Sequence, residues 1–98
     1  MRIEIYSDIQ IQLINGTHRQ WVNCTVMGIP APRTLPDGRV VISVFRHDIA
    51  ELHGASNAIG IPFVLPPERV RNVTMLAPRP SGLPEIISKE LKFIEAHD

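Results

Sequence analysis

Three groups of residues have the types or spacing to do chemistry. His47, Glu51 and His53 are the first. On a helix His47 and Glu51 would share a face at four residues apart, while His53 would be turned well away from both. A metal centre needs three or four converging ligands, and the lone cysteine adds none, so no metal site is expected and the cluster reads as a solvated, capped turn. Cys24 is the second, a single thiol that strand parity places inside, where cysteine behaves as a small hydrophobe. No Gly-rich phosphate loop, Gly-x-Ser-x-Gly or His-Glu-x-x-His pattern occurs. Without a paired nucleophile and base, the expectation is a non-enzymatic chain with no catalytic residues and no cofactor.

The third group is arginine with tryptophan. Before residue 81 the chain has eight arginines, no lysine and six acidic residues; from Ser81 onward two lysines meet four acidic residues, and the whole sums to zero. Arginine without lysine suits bidentate contact with carboxylate or phosphate. Arg19 falls at a hairpin tip, Arg33 in a Pro-rich loop, Arg39 and Arg46 at the two ends of a central strand, and Arg69 and Arg71 on one parity near the last strand. Trp21 lies on the opposite parity to Val22, Cys24 and Val26, and so faces outward beside Arg19. Tryptophan and arginine are enriched at protein-binding hot spots. The candidate partner-binding set is therefore Arg19, Trp21, Arg33, Arg39, Arg69 and Arg71. The same set could serve nucleic acid, with charge plus one stacking platform, although strong binders of that kind carry a clearer basic stripe. The plain alternative is solvent-facing charge.

These residues must be positioned by strands. Residues 3–14 place Ile3, Ile5, Ile9, Ile11 and Leu13 on one parity, with a bend or bulge expected near Ser7-Asp8, and Asn15-Gly16 then turns the chain into a return arm from Trp21 to Met27. In that arm Val22, Cys24 and Val26 face inward; Trp21, Asn23, Thr25 and Met27 take the other face. A loop holding Pro30, Pro32 and Pro36 ends in Pro-Asp-Gly turn chemistry and leads to Arg39–Phe45, apolar on both parities and so the most central strand. A short helix is expected within 47–60, capped by Asp48 with Glu51 and stopped by Gly54. Ile61–Leu65 follows as a short strand whose Pro62 favours an edge or a strand end, then a tight helical turn at Pro66-Pro67-Glu68-Arg69 and a last strand from Val70 to Leu76. The expected division is a barrel over 1–78, a linker over 79–83 and a helix over 84–96, whose stripe of Ile86, Ile87, Leu91 and Ile94 must dock on its own barrel or on another copy as a homodimer.

The order of these elements, carried by Asp8-Ile-Gln-Ile-Gln-Leu, Trp21-Val-Asn-Cys-Thr-Val, Asp37-Gly38-Arg-Val-Val-Ile-Ser-Val and Phe63-Val-Leu-Pro-Pro-Glu-Arg-Val-Arg, resembles the SH3-like small β-barrel, the family that includes Tudor and KOW modules. The resemblance spans residues 3–76 and implies a mainly β, five-stranded barrel that binds peptides, modified side chains or nucleic acid. The helical insertion and the C-terminal helix are additions to it. A methyl-reading cage or a peptide-binding SH3 groove needs clustered aromatics, and Tyr6, Trp21, Phe45, Phe63 and Phe93 are scattered along the chain.

With one cysteine, no intrachain disulfide forms. No apolar run approaches a membrane span, and the N-terminus lacks the pattern of a secretory signal, so a cytoplasmic setting is expected. The functional expectation is a small protein-binding module, of the kind a phage or mobile element encodes to block a host complex. The alternative is a nucleic-acid-binding barrel. A homo-oligomer with a ligand in its central pore is a third reading.

Overall fold

The computed structural model describes residues 2–74 and 79–96. Six strands form one antiparallel sheet, curled into a half-barrel: β1 (Asp8–Asn15), β2 (His18–Val26), β3 (Arg33–Thr34), β4 (Val40–Arg46), β5 (Ile61–Leu65) and β6 (Val70–Asn72). Two helices complete it, α1 (His47–His53) and α2 (Leu83–Ala96). Asn15-Gly16 makes the expected hairpin, with Gly16 at φ +62°, and β1 and β2 pair from Asp8 with Thr25 to Asn15 with His18. β2 passes to β4, β4 to β5, and a 3-10 turn at Pro67–Arg69 delivers β6 back onto β1, with Gln10 opposite Arg71. The Pro-rich loop also contributes β3, which pairs with the start of β4 and which no strand pattern announced.

One face of the sheet closes on Ile9, Ile11, Val22, Cys24, Val26, Val40, Ile42, Val44, Leu65 and Val70. Alternation in β1 and β2 points these residues inward, as period two requires. A second core lies on the opposite side, where Met27, Phe45, Ala58 and Leu83 are buried with Ile49, Ile86 and Ile87 against them. β4 is apolar on both parities because it serves both cores. Thr25 and Met27, expected on the open face of β2, are buried for the same reason.

The first strand is shorter than the isoleucine alternation implies. The chain turns at Ile5-Tyr6, where Tyr6 takes φ +63°, and β1 begins at Asp8, so Ile5 is 39% exposed while Ile9 is fully buried. Asp48 does not cap α1. Arg46 stands at the N-cap without a side-chain hydrogen bond, and Asp48 instead forms an ion pair with Arg46. Gly54, at φ +92°, ends the helix as expected. β6 stops at Asn72; residues 75 and 76 of the expected last strand lie outside the described residues.

Helix α2 starts one residue before the expected Pro84 and docks on its own chain through Leu83, Ile86 and Ile87, leaving Leu91 and Phe93 exposed. The Glu90 carboxylate accepts hydrogen bonds from the backbone N–H groups of Gly28 and Ile29 beside the Tyr6 ring, and burial pushes its pKa up. Gly28 suits this close approach: a Cβ there would sit 3.0 Å from Tyr6 Oη and 3.1 Å from Ile94 Cδ1, so those side chains would have to shift to admit it. No helix among the described residues is long and apolar enough to cross a membrane.

This register separates two isoleucines of one parity. Ile9→Ala is expected to lower the unfolding free energy by about 2–5 kcal/mol, and Ile5→Ala by less than about 1 kcal/mol. Urea denaturation followed by tryptophan fluorescence measures both; equal losses would contradict a strand start at Asp8.

Candidate functional site

Pairing decides which sequence-predicted residues meet. On the outer face of β1 and β2, Gln10 lies opposite Asn23, Gln12 opposite Trp21 and Ile14 opposite Arg19, while β6 brings Arg71 opposite Gln10 on the other side. The side chains form a chain across three strands: Arg71 Nε donates to Gln10 Oε1 at 2.7 Å, and Gln10 Nε2 donates to Asn23 Oδ1 at 2.8 Å. Held by Gln10, the Arg71 guanidinium carbon sits 4.0 Å from the centre of the Trp21 ring. A cation over an indole face is attracted by the ring's quadrupole, worth about 0.5–1 kcal/mol at an exposed site. Arg19 projects from the same face of β2, because residues two apart share a side.

The other arginines do not join this face. Arg69 turns onto the β1 backbone, donating through Nε and Nη2 to the Gln12 carbonyl at 3.1 and 2.8 Å. Arg39 folds back onto Asp37 at 2.7 Å, and its amide and guanidinium hold that carboxyl below the usual carboxylate range. Arg33 is exposed on β3, in a different strand pair. Of the six candidates, the geometry therefore unites Trp21, Arg71 and Arg19. It adds Gln10 and Asn23, which hold and extend the stack. Their signal in the sequence was cross-strand register, readable once the Asn-Gly turn fixed the pairing.

A second polar group lies where this face meets the helices. Thr25 Oγ1 is 3.1 Å from Asp8 Oδ1 and 2.8 Å from His47 Nε2. Arg79 Nη1 reaches both Asp8 Oδ1, at 3.2 Å, and Thr25 Oγ1, at 3.3 Å. Asp8, Thr25 and His47 are buried, and the His47 ring meets Phe45 edge-on at 6.0 Å. The threonine hydroxyl has one proton, donated to the Asp8 carboxylate, so His47 Nε2 must carry a hydrogen and donate to Oγ1. Burial lowers the His47 pKa, with the Arg79 charge reinforcing the shift and the Asp8, Glu51 and Asp48 carboxylates opposing it. Thr25 is sealed from solvent, so this network ties β1, β2, α1 and the segment leading to α2 together and presents no open nucleophile.

His47 is thus no part of a solvated turn. It leaves Glu51 and His53 exposed behind it, and among the described residues no three histidine, cysteine or acidic side chains gather as metal ligands. Arg79 stands in a proline-rich stretch with no periodicity to reveal its target. Cys24 is fully buried, and burial pushes its thiol up to about 12. Comparison with protein-family models, with curated proteins and with solved structures gives no match for this chain.

The His47 shift fixes a pH dependence. With its folded pKa below the unfolded value of about 6.5, the unfolded chain takes up the proton first as pH falls. The stability this neutral histidine contributes is present above about pH 6.5 and drains away as pH drops towards the folded pKa. Urea midpoints should fall between about pH 7 and pH 5, and His47→Gln should flatten that slope. An unchanged slope in the variant would assign the acid sensitivity elsewhere. Cys24 should resist alkylation by iodoacetamide at pH 8 until the protein is unfolded.

Proposed function

We propose that the chain is a non-enzymatic protein-binding module of the SH3-like barrel type, engaging an acidic partner surface through the open face of β6, β1 and β2. The observation that carries the reading is the Arg71 guanidinium stacked on Trp21 and fixed by Gln10. A large aromatic and an arginine locked together before binding lose little side-chain entropy on association, and residues of these two types dominate interface hot spots. Asn23 and Arg19 flank the stack as polar and charged rim. The barrel assignment is supported by the run β1, β2, β4, β5, a 3-10 turn and a last strand returning to β1. An inhibitor encoded by a phage or mobile element needs such a surface and no catalytic machinery, and it is the role in which we place the module.

A second reading is favoured by the same stack, since an indole beside guanidinium groups is also a platform for unpaired bases. It is the weaker one, because Arg39 and Arg69 are committed to Asp37 and to the Gln12 carbonyl. Affinity capture with wild type and Trp21→Ala, paired with anisotropy on labelled single- and double-stranded DNA and RNA at about 50 and 200 mM salt, separates the two. The protein-binding reading expects a defined partner lost on Trp21→Ala, weakened about ten-fold or more by Arg71→Ala, and little affected by polyanions. Binding of nucleic acid that collapses at the higher salt, with no protein partner sensitive to Trp21, would replace it.

A further inference from the structure

A cavity of about 320 Å³ opens where the N-terminal segment passes β3, lined by Arg2, Ile3, Pro32, Arg33, Thr34 and Val40. The apolar part of its lining is Ile3 and Pro32 over Val40, a member of the sheet's buried core, and the rest of the lining is polar. Its rim has two guanidinium groups. The Arg33 side chain makes no hydrogen bond or ion pair among the described residues. Among the described residues Arg2 meets the exposed Glu4 carboxylate alone, at a long 3.6 Å. The nearby Asp37 is already taken by Arg39. The larger cavity beside α2 differs in this respect, because its one cation, Arg79, is bound to Asp8 and Thr25.

We propose that the Arg2–Arg33 cavity binds a small organic oxyanion, a phosphate or carboxylate carried on an apolar body. Arg33 offers a planar fork of donors that matches two oxygens of such a group, and Arg2 swings in from its loose pairing to neutralise the remaining charge. The Thr34 hydroxyl supplies a further donor, and the apolar body rests on Ile3, Pro32 and Val40. The site is separate from the Trp21–Arg71 face and stands without it.

The test is a titration of the full chain, followed by backbone amide NMR shifts at constant ionic strength, with phenyl phosphate, benzoate and inorganic phosphate. The expected shifts cluster at residues 2–3, 33–34 and 40. Phenyl phosphate or benzoate binds more tightly than inorganic phosphate, and the tighter of the two identifies the oxyanion. Arg33→Ala, an exposed substitution, weakens binding about ten-fold or more, while Arg71→Ala leaves it unchanged. Shifts spread equally over Arg19 and Arg71, inorganic phosphate binding as well as both organic anions, an unaffected Arg33→Ala, or no shifts at all would each overturn the proposal.

Discussion

The architecture depends on a change in what covers one face of the sheet. The inner face is apolar from Ile9 to Leu13 in β1, Val22 to Val26 in β2 and Val40 to Val44 in β4, but the outer face is open at one end and buried under α2 and the 55–58 turn at the other. Along β2 the transition takes four residues: Trp21 and Asn23 look outward, Thr25 is sealed, and Met27 is core. A sheet with one covered face needs polar residues on the other, and a sheet with two needs none. At the boundary neither rule holds. There the chain places Thr25 between an aspartate, a histidine and an arginine, so that polar groups at the margin of the second core satisfy one another.

Local partners of this kind also hold five of the eight arginines. Arg39, Arg46 and Arg79 pair with Asp37, Asp48 and Asp8, Arg69 caps a strand carbonyl, and Arg71 is held by an amide and a ring. An arginine excess in the body of the chain thus becomes several local attachments. A surface built this way has little general attraction for polyanions, because few of its guanidinium groups are left facing outward without a partner.

Much of the scaffold was legible in residue order. Asn15-Gly16, the alternation of Ile9 and Ile11 against Gln10 and Gln12, the two-sided apolar run of β4, the stop at Gly54 and the edge position signalled by Pro62 act over a few residues and read directly. The failures were tertiary. Ile5 matches the isoleucine parity but lies before a turn at Tyr6, whose positive φ no neighbouring residue announces. Thr25 and His47 looked solvent-facing because strand parity does not reveal that α1 packs back on β2, or that Arg79 reaches Asp8 and Thr25 beside it. Trp21 was placed on the correct face by parity alone, whereas its partner Arg71 emerged only when the pairing of β6 with β1 was known. The divergence of Arg33, Arg39 and Arg69 from that partnership follows from local geometry, a loop strand, an Asp-Gly turn and a 3-10 turn.

The half-open curl of the sheet has a colloidal consequence. An incomplete barrel leaves unpaired strand margins, and a long flat margin templates chain-to-chain association. Here β3 has two residues, β6 has three and β5 has Pro62 within it, while residues 18–23 of β2 pair with β1 alone and form the longest margin. A proline removes a backbone donor from any strand that would extend the sheet. Sheet extension is therefore hindered at β3, β5 and β6, and the 18–23 arm of β2 is the margin at which a further strand would meet free backbone donors and acceptors.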